Sequence, residues 1–185
     1  MTKQAFGIVS LLDVINDKSA RLIWKRACDI VGKYGLTSPQ YPHFSWQVAV
    51  NYQIENIQDA LTKISISSQP FKISISGVGI FPGLQPIIYL TIVRNETLNQ
   101  IHQKIWVTCN EYGIELSPYY TSERWIPHIT IAYNPLSPIV LSSIIEEIAF
   151  ENWESEVVIN NLAIAYQIGD EAGVAQELFF GKEVQ

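Results

Sequence analysis

One tetrapeptide pattern occurs twice in this chain. Pro42-His43-Phe44-Ser45 and Pro127-His128-Ile129-Thr130 both read Pro-His-x-Ser/Thr, and each runs into an apolar stretch, Trp46-Gln47-Val48 and Ile131-Ala132-Tyr133. The histidines lie 85 positions apart, and the segments Ile75–Phe81 and Ile159–Ala165 match at a shift of 84 positions. The predicted elements repeat with them. From residue 43 the order is strand (43–50), helix (54–67), strand (71–80), strand (86–94), helix (96–112). From the second motif it is strand (125–133), helix (137–150), strand (157–168), strand (176–180). The helix missing from the second series is supplied by the start of the chain, where a strand (6–14) precedes a helix (17–34). Asn16 or Asp17 is placed to cap that helix and Gly35 to end it. A hairpin turn over Phe81-Pro82-Gly83-Leu84 joins the two central strands. The expectation is an internal duplication giving two α+β lobes, one about 37–113 with the first motif, the other about 114–185 plus 1–36 with the second, intertwined in a single domain.

Strand geometry then decides which side chains share a face. Side chains alternate, so His43 and Ser45 point together, as do His128 and Thr130. Phe44, Trp46 and Val48, and likewise Ile129, Ile131 and Tyr133, are expected on the opposite, core face. Duplicated lobes facing one another would bring two imidazoles and two hydroxyls into one cleft. That set suits phosphoryl transfer. An imidazole near its ordinary pKa of about 6.5 can give or take a proton at neutral pH. One histidine would deprotonate the attacking oxygen, and the other would protonate the leaving oxygen. Ser45 and Thr130 would hydrogen-bond the non-bridging phosphate oxygens as charge builds. Such a site needs no metal. The third histidine, His102, has Lys104 two positions on and is expected on an exposed helix face.

The composition narrows the partners. The formal net charge is −6. Proteins that grip long nucleic acid usually carry a basic surface, so a short nucleotide or an RNA terminus is the expected substrate. The two cysteines, Cys28 and Cys109, lie in helical segments with no Cys-x-x-Cys or Cys/His cluster, so neither zinc nor another cofactor is expected. The N-terminal apolar run is too short for a signal peptide, and no stretch reaches the length of a membrane span. A cytoplasmic chain with reduced thiols is the expectation.

The two motifs, the second within Arg124-Trp125-Ile126-Pro127-His128-Ile129-Thr130, resemble those of the two-histidine (2H) phosphoesterase superfamily, in particular the 2′-5′ RNA ligase-like proteins, which include cyclic nucleotide phosphodiesterases. The resemblance spans most of the chain. It implies a bilobal, pseudo-symmetric fold with two mainly antiparallel sheets around a central cleft and helices outside. It also implies metal-independent hydrolysis of a 2′,3′- or 1″,2″-cyclic phosphate, or action on 2′-5′ RNA linkages. His43 and His128 match the acid/base pair, in either assignment, and Ser45 and Thr130 the phosphate-binding hydroxyls. Where many relatives carry a basic residue after the second motif, this chain has Ala132-Tyr133-Asn134. The alternative class is a binding module for a nucleotide or RNA end that keeps the cleft with little catalysis.

Position in the chain suggests further candidates. Arg124 shares strand parity with His128 and could reach the phosphate, or form a surface ion pair. Tyr41 could stack on a base, as could Trp125, Tyr119 and Tyr120. Ser74 and Ser76 face either the cleft or solvent.

Overall fold

The computed structural model describes residues 4–36, 38–133 and 137–181. In chain order the elements are β1 (Gln4–Leu11), α1 (Lys18–Gly32), β2 (His43–Tyr52), α2 (Ile54–Ile66), β3 (Phe71–Phe81), β4 (Ile87–Ile92), α3 (Glu96–Tyr112), β5 (Gly113–Leu116), a 3₁₀ turn (Pro118–Tyr120), β6 (His128–Tyr133), α4 (Pro138–Ile148), β7 (Ser155–Ile159), β8 (Asn161–Ile168) and β9 (Glu171–Phe179). Local signals set the helix starts. The Asp17 carboxylate accepts from the N–H groups of Ser19 (2.8 Å) and Ala20 (3.2 Å), capping α1. Asn95 and Ser137 cap α3 and α4 through the N–H groups of Leu98 and Val140.

All the described strands pair antiparallel, in the order β7-β3-β4-β6-β2-β1-β8-β9, with β5 added beside β2. The two sheets implied by the resemblance are the two halves of this order. They join between β2 and β6 at one residue pair, Phe44 opposite Ile129, the x positions of the two motifs. At the other end β7 pairs with β3, and β8, which comes one residue after β7, pairs with β1. The sheet therefore curls back on itself.

The repeat is carried through the registers. In one half Val9, Ser10 and Leu11 of β1 face Ser45, Phe44 and His43. In the other, Tyr89, Leu90 and Thr91 of β4 face Thr130, Ile129 and His128. Leu12 N–H donates to the Pro42 carbonyl and Ile92 N–H to that of Pro127, at 2.9 and 3.2 Å. Gly79 pairs with Tyr89, and Ala163, 84 positions later, pairs with Val9.

The strands nevertheless divide differently from the spans read off the sequence. β2, with the first motif, pairs with β1 from the start of the chain, and β6, with the second, pairs with β4. Each motif strand thus sits in the sheet half built largely by the other span. The counterpart of β4 is β1, so the chain start supplies a strand as well as a helix, and β9 is an addition at the sheet edge. The 157–168 strand is two strands, broken at Asn160, and β5 is a further strand within a segment that carries no strand pattern of its own.

The core is shared by both halves. Phe44, Trp46, Trp125, Ile129 and Ile131 are all essentially inaccessible to solvent. Burying large apolar side chains of this kind supplies most of the driving force for folding. No helix among the described residues is long and apolar enough to cross a membrane.

Candidate active site

Each motif histidine opens its strand, directly after a buried proline. The two rings are held in the same way. His43 Nδ1 is 2.7 Å from the Tyr41 carbonyl, and His128 Nδ1 is 2.7 Å from the Ile126 carbonyl, both two residues back. A carbonyl can only accept, so Nδ1 carries the proton in both rings, and each Nε2 is left to exchange a proton with whatever enters the site. Both rings are half-buried. Burial holds the His43 pKa below its ordinary value, against the opposing effect of its bond to Tyr41. Burial also lowers that of His128, the bond to Ile126 opposes it, and the charge on His43 adds to the lowering. The last effect requires the two rings to be close enough to interact electrostatically. The pairing of Phe44 with Ile129 explains why: it sets the two motifs side by side, running in opposite directions.

Ser45 and Thr130 are half-buried on the same face and line one hollow with His43. Its volume is ≈ 380 Å³, and it is lined from β1, β2, β6 and the β8–β9 hairpin, with Ile87 of β4 and the segment before β2. The Tyr120 phenol is near the Ser45 hydroxyl; burial raises its pKa and Ser45 moderates the rise. His128 is set among aromatic rings. Phe81 lies 4.8 Å away at 83° and Tyr89 5.1 Å away at 60°, and Phe81 and Tyr89 stack on each other at 4.2 Å.

Strict alternation fails one step past each hydroxyl, for one reason. The register of β1 against β2 slips between Ile8 and Val9, leaving Trp46 as an extra residue. The register of β4 against β6 slips between Ile88 and Tyr89, leaving Ile131 extra. These are β-bulges at equivalent positions, and a bulge inverts the parity of the residues beyond it. Trp46 and Ile131 are core, as expected. Val48 and Tyr133, expected in the core, instead line the hollow, and Tyr133 is 49% exposed. Gln47 is buried in the bulge, where its own side-chain oxygen accepts from the Val48 N–H at 2.8 Å.

Three other expectations change. Residues 121–124 form a turn and the strand begins only at His128, so the parity argument for Arg124 does not apply. Its guanidinium lies over the Tyr119 ring at 4.9 Å, and it is not among the residues lining the hollow. Trp125 is 2% exposed and is no stacking platform. His102 covers it in parallel at 3.9 Å, Trp46 stacks at 5.5 Å, and its indole N–H donates to the Ser45 carbonyl at 2.9 Å. His102 is buried, not exposed. Its Nε2 lies 3.0 Å from the Tyr120 carbonyl, and burial brings its pKa down to about 4. Behind Ser45 there is thus a second layer, His102, Trp125 and Tyr120, that the motif alone does not reveal. Tyr41 does line the hollow, while Ser74 and Ser76 are exposed away from it. Asn134 lies outside the described residues. Among the described residues no three His, Cys, Asp or Glu side chains cluster as a metal site would require.

A curled antiparallel sheet with paired histidine motifs at its centre defines a class, and comparison with known proteins agrees. Residues 33–171 match the family described as the 2′-5′ RNA ligase superfamily, and the chain belongs to it, within the 2H phosphoesterases. It is 24% identical over 141 residues, 75% of this chain and 78% of the other, to the Oceanobacillus iheyensis protein named "Putative phosphoesterase OB1230". Its fold is similar to that of Escherichia coli LigT, solved with 3′-AMP, with a TM-score of 0.63 at 10% identity over 98% of this chain and 100% of that one. It is also similar to Kluyveromyces marxianus Usb1, solved with uridine monophosphate, with a TM-score of 0.50 at 9% identity over 93% and 97% of the two chains.

Proposed function

We propose that the chain is a metal-independent phosphoesterase that opens a cyclic phosphate on a ribonucleotide by two-histidine acid/base catalysis. The observation that carries this reading is the matched tethering of the two rings, each with Nδ1 bound to the carbonyl two residues back. Two neighbouring imidazoles with free Nε2 atoms are a proton donor and a proton acceptor for one phosphate. In the hydrolytic step, Nε2 of the neutral histidine takes a proton from water as the water oxygen bonds to phosphorus. The bond from phosphorus to one ribose oxygen breaks, and that oxygen takes the Nε2 proton of the second, protonated histidine. The product is a ribonucleotide monophosphate. Ser45 and Thr130 donate hydrogen bonds to the non-bridging oxygens. The nucleotides bound to the two similar structures are consistent with a small nucleotide substrate. A 2′-5′ RNA linkage would place the same atoms around phosphorus.

The test is turnover of 2′,3′-cyclic nucleotides in EDTA by the wild type, His43→Ala and His128→Ala. Each substitution should lower kcat by about 10²-fold or more, the range for loss of a general acid or base, with circular dichroism and thermal unfolding little changed. Activity persisting in both variants would place the chemistry elsewhere.

A further inference from the structure

Of the twenty described residues that line the hollow beside His43, none is Asp, Glu, Lys or Arg, although 16% of the chain is charged and about three would be expected. The walls are apolar and aromatic, with Phe6, Val9, Tyr41, Val48, Tyr133 and Tyr166 facing the space. Tyr41, before β2, and Tyr166, on β8, both belong to its lining. Arg94 donates to the Ser122 and Trp125 carbonyls, Arg124 lies over Tyr119, and Lys72 pairs with Glu156 at 2.9 Å. Arg21 donates to the Ile15 carbonyl, and Lys18 lies in a separate hollow on the other side of Asp13.

Beyond Tyr41 lie two carboxylates. A second hollow, of ≈ 340 Å³, shares Leu11, Gln40 and Tyr41 with the first and carries Asp13 and Glu177. These two carboxylates are near one another, since the Asp13 charge adds to the effect of burial in raising the Glu177 pKa.

From this we infer that the site selects by charge: it accepts a single nucleoside bearing one monoanionic cyclic phosphate and discriminates against substrates that carry further phosphates. The inference rests on the phosphoesterase reading above and narrows it. The reacting phosphate has His43 and the hydroxyls of Ser45 and Thr130 on the lining of the hollow, while His128 is not among the lining residues and is set beside them by the pairing of the two motif strands. A neutral base and ribose fit walls of Tyr, Phe and Val, and the hollow is at the lower end of the usual range for small-molecule sites, about 300–1,000 Å³. A second phosphate entering the hollow would lose hydration with no cation to replace it, and one passing Tyr41 would meet Asp13 and Glu177. Both effects act against 5′-phosphorylated ends, ADP-ribose cyclic phosphate and oligonucleotides.

The experiment compares adenosine 2′,3′-cyclic phosphate with the same nucleotide carrying a 5′-phosphate, which differs by that one group. Wild-type kcat/KM should favour the unphosphorylated nucleotide by about tenfold or more at low salt. Gln40→Lys, which places a cation where the two hollows meet, should cut that preference at least about threefold. Equal or better use of the 5′-phosphorylated nucleotide, or of ADP-ribose 1″,2″-cyclic phosphate, overturns the inference and leaves the phosphoesterase reading standing. An unchanged preference in Gln40→Lys also overturns it, because the discrimination then has another origin. Failure to turn over either nucleotide, or any other cyclic phosphate, defeats the reading and the inference together.

Discussion

The buried His102 makes stability depend on pH in a way that can be isolated. The folded protein holds this imidazole neutral, with a pKa of about 4 against 6.5 for the free group, chiefly because burial disfavours the charged ring. The unfolded chain therefore binds a proton more readily than the folded one. The stability that His102 contributes is complete above pH 6.5 and is lost as the pH falls from there to about 4. A shift of 6.5 to about 4 corresponds to about 3 kcal/mol, at about 1.4 kcal/mol per pKa unit. That is a large part of the 5–15 kcal/mol typical of a domain. His102→Gln removes the titration. Other groups titrate in both proteins, so the quantity to track is the difference between wild type and variant. Urea unfolding, monitored at fixed pH values from 7.5 to 4, should show that difference moving by about 3 kcal/mol in favour of the variant, most steeply near pH 5, where nearly one proton separates the states. A difference constant to within about 1 kcal/mol across the range would mean that His102 is solvated in the folded protein, and the packing described behind Ser45 would be wrong.

The same structure dictates two other outcomes. Burial lowers the pKa of both His43 and His128, and the proposed mechanism needs one ring neutral and the other protonated, so kcat/KM should peak below pH 6.5 and fall with rising pH; a flat profile from pH 6 to 8 would contradict this. Gly79 lies under the Tyr89 ring, where an added Cβ would come within 2.4 Å of a ring carbon. Gly79→Ala should displace Tyr89 from His128 and Phe81, costing about 1–3 kcal/mol in thermal or urea unfolding and lowering kcat; wild-type values for both would show that the ring is free to move aside.

The sequence made most of the fold and the centre of the site legible, and its failures share a physical cause. Helices α1 to α4 are marked by apolar periodicity and by capping side chains such as Asp17, which depend on neighbours within a turn or two. The repeated motif is legible because it occurs twice, and the shift of 84 positions between Ile75–Phe81 and Ile159–Ala165 reappears as the pairing of Gly79 with Tyr89 and of Ala163 with Val9. Strand partnership is not legible. Nothing in β2 says that it pairs with β1 and not with β4, because the exchange between halves is settled by packing across the whole sheet. His102 is a different case, since a signal exists. Leu98, His102, Ile105 and Cys109 recur at intervals of four, three and four, the spacing of one buried helix face. Lys104 points to the wrong side of that helix.

The bulges bear most directly on function. Trp46 and Ile131 are ordinary apolar residues in apolar strands, and a bulge in such a strand has no signature of its own. Yet each bulge falls one residue past the hydroxyl of its motif, 85 positions from the other. Without them, alternation would carry Val48 and Tyr133 into the core, and the hollow beside Ser45 and Thr130 would lose two walls. With them, the core keeps the large side chain at the bulge, and the strand turns its next outward residue toward the hollow. The polar motif and the apolar wall of the hollow are thereby placed on one face of one strand, which regular alternation alone would not produce. The proposed phosphate chemistry at His43 and His128 and the proposed choice of a neutral nucleoside beside them would then have a common structural origin, repeated once in each half of the sheet.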